Sequence, residues 1–154
     1  MKVEYINPFI EASESVIEQL TGLKPKLGKV AIKSTPYSSD SLVIFIGVTG
    51  MIKGNVVMSF DPQVAVRIVS SMMGGMEVDI NDELGKSAVG EVGNMIMGHT
   101  AMIFSEREIN IDISPPTILV GKNMQVSNEN GMVIRVPVLF ENGDTMFTLD
   151  VSYK

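Results

Sequence analysis

The chain has 154 residues and a mass of 16.7 kDa, with 45% hydrophobic and 19% charged residues. These values predict one globular domain over residues 1–154 and exclude a disordered tail or a collagen-like chain. The net charge of −6 argues against a nucleic-acid partner, since such proteins carry a basic surface. Because there is no cysteine and only one histidine, disulfide frameworks, thiolate zinc sites and most histidine-based sites are excluded.

The sequence shows no targeting signal and no membrane span. Its first five residues are mixed and acidic rather than a charged cap followed by an apolar run. The most apolar stretch, 42–52, contains Gly47 and Gly50 and falls well short of the roughly 20 residues a spanning helix needs. We therefore expect a cytoplasmic protein without a membrane partner.

The first half of the chain predicts one helix, three strands and a second, short helix. Asn7 is the expected N-cap of the first helix, and Gly22 ends it. Asp61 caps the second helix, which stops at Gly74. Between the helices, runs rich in Val, Ile and Phe predict three strands, at 29–35, 42–48 and 54–60.

The second half predicts a long helix and then strands. The helix runs from the acidic turn at 81–83 to about Phe104. Asn-Gly pairs then predict hairpin turns between consecutive antiparallel strands. Pro137 predicts that the middle strand is an edge strand, a bulged strand or both, because proline cannot donate to a ladder. The predicted strands are 124–127, 132–140 and 145–152.

The order of elements predicts an α+β fold in which long helices pack on a largely antiparallel sheet. Each half contains a long helix followed by strands. This repetition suggests an internal duplication of a helix-plus-strands unit, although few residues are identical between the halves.

The long helix carries a polar stripe. At 100° per residue, Ser87, Glu91, Asn94 and Gly98 fall within about 60° of one another. We therefore expect Glu91 and Asn94 to point outward, side by side, one turn apart. The opposite side is predicted to face the core and consists of Ala88, Val89, Val92, Met95, Ile96, Met102 and Ile103.

Four glycines, Gly85, Gly90, Gly93 and Gly98, lie in the same helix although each costs about 1 kcal/mol relative to alanine. Two explanations remain open. The glycines let another element approach closely while the polar residues are merely solvated, or they leave the stripe bare so that a partner reaches Glu91 and Asn94.

The run Ser87-xxx-Glu91-xx-Asn94, followed by Pro115-Pro116, resembles the signature of the CheC/CheX/FliY family of phosphatases acting on the chemotaxis response regulator CheY. The resemblance spans nearly the whole chain, and its size fits the CheX branch. The flanking segments that agree are 48–50, 70–76 and 113–117.

The resemblance implies that Glu91 and Asn94 are the catalytic pair, with Ser87 and Gly98 as weaker candidates for partner contact. Some relatives resembling CheC carry Glu-x-x-Asn on two helices and CheX-like ones carry it on one, and the first helix here offers Glu11 and Glu14 at that spacing. We therefore expect one site per chain.

The chain itself offers no nucleophile and no metal cluster, so we expect no metal or cofactor of its own. The family resemblance implies that a phosphorylated CheY-type regulator brings the acyl phosphate, Mg²⁺ and a lysine. The pair would then only position a water for attack on phosphorus, Asn94 holding the water and Glu91 pairing with the lysine.

Alternatives to this site are weak. Asp79-x-Asn81-x-Glu83 resembles the start of a calcium loop, but the loop's required glycine is absent, and helix capping explains it better. His99 lies roughly 140° around the helix from Asn94 and is expected to pack rather than catalyse. The alternative function is a non-catalytic module that binds the regulator. We also expect a homodimer, because the edge strand predicted at 132–140 invites pairing.

Overall fold

The computed structural model of the chain describes residues 3–153. A 3₁₀ turn at Val3–Ile6 leads directly into the first α-helix. The three α-helices are α1 (Asn7–Thr21), α2 (Pro62–Met72) and α3 (Glu83–Glu106). None of the helices in residues 3–153 has the length and apolar character to cross a membrane.

Ten strands occur within the same residues. Those of the first half are β1 (Lys26–Leu27), β2 (Ala31–Ser34), β3 (Tyr37–Ser38), β4 (Leu42–Gly50) and β5 (Gly54–Phe60). Those of the second half are β6 (Ile111–Ile113), β7 (Thr117–Val120), β8 (Gln125–Val126), β9 (Met132–Leu139) and β10 (Thr145–Tyr153).

Eight of these strands form one antiparallel sheet. Its central order is β9-β10-β5-β4, with β1 and β2 in succession along the outer side of β9, and β6 and β7 along the outer side of β4. The α+β prediction with helices on an antiparallel sheet is confirmed.

The sheet has the symmetry of a duplicated unit. Exchanging β1–β2 with β6–β7, β4 with β9, and β5 with β10 reverses the strand order and leaves it otherwise unchanged. Both outer strands are interrupted at matching places, at Gly28 opposite Pro137 and at Ser114 opposite Gly47. Each half contributes the outer strand of the other half, so the two units cannot separate into independent domains.

The core lies between the helices and one face of the sheet. Alternate strand residues such as Ile44, Met58 and Leu149 face the helices and are fully buried. On the opposite face, β3 and β8 pair with each other away from the main sheet. There Tyr37 lies under a cation–π contact from Arg135, 4.8 Å from the ring centroid.

The opposite face also buries an ion pair. Asp150 is fully buried and accepts two hydrogen bonds from Arg135, at 2.7 Å and 3.0 Å. The hydrogen bond to Asp150 raises the pKa of Arg135. Burial, and after it the charge of Asp150, raises the pKa of Tyr37. This cluster joins β9 and β10 to the flap made by β3 and β8.

The prediction for β9 is wrong, because it is an internal strand with neighbours on both sides. Pro137 is tolerated because its ring nitrogen faces the interruption between β1 and β2, where no ladder partner is required. Its carbonyl still accepts a hydrogen bond from Gly28 N at 2.9 Å. The irregular register lies between Thr145 and Phe147 in β10 instead.

Three further details differ from the sequence prediction. Asn7 does not cap α1, since the preceding 3₁₀ turn places Ile6 at the N-cap with helical dihedral angles and no side-chain hydrogen bond. The strand predicted at 29–35 shortens to β2, and the short strand β1, before Gly28, is not predicted. The predicted strand at 124–127 shortens to β8 and pairs with β3 rather than with β9, because β2 occupies the outer side of β9.

Candidate functional site

Helix α3 is held firmly at its start and along its inner face. The Asp82 side chain caps it by accepting a hydrogen bond from Gly85 N at 2.7 Å. Its 24 residues span about 36 Å at 1.5 Å per residue. Buried residues such as Val92 and Ile96 face the sheet, so the rotation of the helix, and thus the direction of its outer face, is set by the core.

The polar stripe lies on that outer face as predicted. Ser87, Glu91, Asn94 and Gly98 are all exposed. Glu91 and Asn94 are three positions apart, which places their Cβ atoms about 5–6 Å from each other. Neither side chain has a hydrogen bond or ion pair with the residues described, 3–153. Their polar groups are therefore available to a partner.

An open depression of about 430 Å³ lies beside this pair. Its helical side consists of Lys86, Ser87, Gly90, Glu91 and Asn94, and its opposite wall is Pro116 and Ile118. The wall is possible because the chain between β6 and β7 leaves the ladder at 114–116, where the Ser114 hydroxyl accepts a hydrogen bond from Gly47 N at 2.7 Å. Pro116 thus shapes the depression but offers no side-chain group that could hydrogen-bond or react there.

The four glycines of α3 serve different purposes. A Cβ on Gly93 would lie 2.8 Å from Ile44 Cγ2, and one on Gly90 would lie 3.4 Å from Pro116 Cγ. Gly85 is closed in by the backbone of Asp79. Close packing therefore explains Gly85 and Gly93, whereas a methyl group at Gly90 would make an ordinary van der Waals contact. A methyl group at Gly98 would have no neighbouring atom within 4 Å, so packing does not explain the lack of a side chain there.

Met102 is predicted to lie in the core and is instead exposed, with 52% of its surface accessible. It is fifteen residues after Ser87, which at 100° per residue returns it to within about 60° of the stripe. Leu84, one turn before Ser87, is exposed to 61%. Sequence reasoning also missed Lys86 and Ile118 as lining residues. Helical spacing could have found Leu84 and Met102, whereas Ile118 needed the strand pairing.

The pair on α1 does not form an equivalent site. Glu11 forms an exposed ion pair with Arg107, 3.7 Å apart, and Glu14 offers a carboxylate where α3 has an amide. A second carboxylate would repel an anionic group that an amide can hydrogen-bond. The symmetry of the fold thus supplies two related helix faces, of which one carries the acid and amide together.

A larger depression, of about 590 Å³, lies at another part of the surface, between α2 and the turn that joins β9 to β10. Of its two cations, Lys24 and Arg67, the second is stacked 4.7 Å from the centroid of the Phe140 ring. It holds no helical acid–amide pair. Across the described part of the chain, no group of three or more His, Cys, Asp or Glu side chains is arranged to hold a metal ion.

The chemistry of the depression beside α3 is that of an acid and an amide on a rigid helix, without a nucleophile. Asparagine both donates and accepts hydrogen bonds, and a carboxylate binds a cation. Such a site positions a partner's groups or a water molecule. This chemistry is suited to a protein that works on the reactive group of another molecule.

Comparisons with known proteins agree with this class. The family described as "Chemotaxis phosphatase CheX" matches residues 42–138. The CheY-P phosphatase CheX of Thermotoga maritima is 37% identical over all of this chain and 98% of its own length. The chemotaxis protein CheX of Desulfovibrio desulfuricans has a TM-score of 0.86 at 28% identity, with 99% of this chain and 100% of that chain covered.

A third similar structure is a complex of CheX with CheY, BeF₃ and Mg²⁺ from Borrelia burgdorferi. It has a TM-score of 0.80 and 25% identity, and the match covers 99% of each chain. The chain described here belongs to the CheX family of chemotaxis phosphatases. The resemblance noted from the residues of α3 is confirmed by these matches.

Proposed function

We propose that this chain hydrolyses the phospho-aspartate of a CheY-type response regulator, using Glu91 and Asn94 as its catalytic pair. The single observation that carries the proposal is the exposed, unpartnered acid–amide pair on α3, in a chain 37% identical to a CheY-P phosphatase. The Borrelia complex supports the choice of partner, because it contains CheY with Mg²⁺. We likewise propose that Mg²⁺ is held by the regulator.

In the proposed mechanism, α3 inserts its outer face into the regulator's phosphorylated site. The Asn94 carboxamide accepts a hydrogen bond from the attacking water and donates one to the phosphoryl oxygens. The water attacks phosphorus, the bond from phosphorus to the aspartate oxygen breaks, and phosphate and the free carboxylate are released. Phosphoryl transfer depends mainly on positioning and charge stabilisation, so a single orienting amide is sufficient.

Glu91 has a different role in the proposal. Its carboxylate pairs with the lysine of the regulator and fixes the register of α3 in the complex. The division of roles follows from charge, since the neutral amide lies next to the phosphoryl group and the acid lies next to the cation. Ser87 and Gly98 contact the same partner from the turns on either side.

Steady-state phosphate release from the phosphorylated regulator tests the roles. Asn94→Ala should lower kcat about 10²-fold, or about 2.7 kcal/mol, with little change in binding, because the contact to water matters in the transition state. Glu91→Ala and Glu91→Gln should both weaken binding of the regulator, because each substitution removes the carboxylate that pairs with its lysine. Asn81→Ala and Glu106→Gln are matched controls, because both residues are exposed and lie outside the depression.

Near-full turnover of Asn94→Ala at saturating regulator would contradict the proposed mechanism. Loss of binding with Asn94 and loss of turnover with Glu91 would show that the roles are exchanged. The alternative function, a non-catalytic module that binds the regulator, requires tight binding without phosphate release above the regulator's own rate. Thermal melts of each variant separate these effects from unfolding.

The proposal extends to a cytoplasmic homodimer that binds neither nucleic acid nor a membrane. Since β9 is internal, the open edges belong to the outer strands β1–β2 and β6–β7. Ile32 on β2 is 66% exposed, which favours this edge as the place of pairing. Sedimentation at micromolar concentration should show the dimer, and a single 16.7 kDa species would refute it.

A further inference from the structure

Two large apolar side chains lie exposed on α3, one at each end of the polar stripe. Leu84 is 61% exposed and Met102 is 52% exposed. Leu84 precedes Ser87 by three residues and Met102 follows Gly98 by four, so all of them fall within about 80° of the helix surface. The 18-residue separation of Leu84 and Met102 corresponds to about 27 Å along the helix.

No packing within the described residues explains these two side chains. Neither belongs to the core cluster, which uses the opposite side of α3. Between Asn94 and Met102 the surface is bare, because nothing lies within 4 Å of the position a Gly98 Cβ would occupy. The outer face of α3 therefore runs from an apolar end, through the acid and amide, across bare backbone, to a second apolar end.

The size of a protein interface decides whether a regulator centred on Asn94 would cover both side chains. A standard interface buries about 800 Å² per partner, which corresponds to a patch about 32 Å across. A regulator centred on Asn94 would reach about 16 Å in each direction along the helix. Leu84 is about 15 Å and Met102 about 12 Å from Asn94 along the axis, so both lie under such a patch.

We infer that Leu84 and Met102 are apolar anchors for the phosphorylated regulator, one on each side of the acid–amide pair. This inference rests on the proposed function, because the regulator must centre on Asn94. It assigns to the regulator a face with an apolar patch on either side of its charged phosphorylation site. Met102 suits this use, since its flexible, polarisable side chain adapts to uneven surfaces. Burial of these two side chains strengthens binding of the regulator equally in the ground state and in the transition state, so it should affect KM and leave kcat unchanged.

The test compares KM and kcat of the full chain with phosphorylated regulator. Leu84→Ser and Met102→Ser should each raise KM about 10-fold while kcat stays within about twofold, the signature of uniform binding. The double variant should raise KM about 100-fold, since sites this far apart act independently. Met102→Leu should restore affinity. The matched controls are Met132→Ser on β9 and Leu119→Ser on β7. Both residues are exposed and lie on other elements, so these substitutions should leave KM unchanged.

An unchanged KM in both single variants would overturn the inference. A loss of dimer by sedimentation with an unchanged KM would also overturn it, because a second copy of the chain would then be the occupant. Titration with regulator activated by beryllium fluoride measures the contribution of the same anchors without turnover. If the wild-type chain released no phosphate, the proposed function would be refuted. The titration would still show whether Leu84 and Met102 contribute to binding of the regulator.

Discussion

Replacing Gly98 with alanine should stabilise the chain, whereas the same replacement at Gly93 should destabilise it. Both glycines lie inside α3, where alanine is favoured over glycine by about 0.8–1.0 kcal/mol. At Gly98 the added methyl group meets no atom within 4 Å, so the whole helical gain should appear. For a chain of this length, 1 kcal/mol corresponds to about 3 °C in Tm.

At Gly93 the added methyl group would lie 2.8 Å from Ile44 Cγ2 and 3.4 Å from Ile46 Cδ1. Both isoleucines are fully buried strand residues, and moving the Cγ2 of the branched Ile44 requires rotation about its stiff χ1 bond or a shift of the backbone. Overpacking of this kind costs about 1–3 kcal/mol, which exceeds the helical gain. Taking the middle of that range, about 2 kcal/mol, less the helical gain of about 1 kcal/mol, we expect Gly93→Ala to lose about 1 kcal/mol net, or about 3 °C in Tm.

Thermal and urea unfolding of the two variants measure this difference, and the regulator assay adds a second readout. Because the added methyl group stands on the bare surface beside Asn94, Gly98→Ala should raise KM for phosphorylated regulator although the chain is more stable. Equal stabilisation by Gly98→Ala and Gly93→Ala would refute the packing argument. A more stable Gly98→Ala with an unchanged KM would refute the assignment of this surface to the partner.

Three predictions concern stability elsewhere in the chain. Arg135→Met should cost about 3–5 kcal/mol in urea unfolding, because it leaves the fully buried Asp150 without its cation, and Arg135→Lys should cost less. Burial, and after it the charge of Asp150, raises the pKa of Tyr37 in the folded chain. The resulting contribution to folding stability is complete below the ordinary tyrosine pKa of about 10 and is lost as the pH rises above it, because the unfolded chain then ionises first. Tyr37→Phe should thus flatten the alkaline fall in unfolding free energy, and an unchanged pH dependence would contradict this. Asp82→Ala should cost about 1 kcal/mol of stability, because it removes the N-cap of α3. Thermal melts measure this loss, and a melting temperature equal to that of the wild type would show that another group caps the helix.

The outer face of α3 could be predicted from the sequence because it depends on local geometry. Successive helical residues turn by about 100°, so Ser87, Glu91, Asn94 and Gly98 share one side in any well-formed helix. The same rule applied to Met102 gives an exposed residue, and its assignment to the core is an error in using the rule. The hairpin of β4 and β5 is equally local, since its turn and alternating pattern lie in one short segment.

Only the tertiary structure decided where β9 lies in the sheet. Pro137 lacks an N–H and by itself indicates an edge strand, yet the break in its neighbour at Gly28 accommodates it. These two residues are more than a hundred positions apart, and their pairing depends on the exchange of outer strands between the halves. Pairing of distant strands is chosen by the total burial of the core, which no local pattern contains.

The glycines of α3 show the same division within a single helix. Sequence alone identifies four residues that weaken the helix and leaves two explanations open for all of them. Packing of α3 on β4 explains Gly93, a methyl group at Gly90 would make only an ordinary contact with Pro116, and the absence of any neighbour within 4 Å distinguishes Gly98. Periodicity thus determined which residues face outward. The surroundings of each position required the fold, because close contact is a property of two surfaces and the helix supplies only one of them.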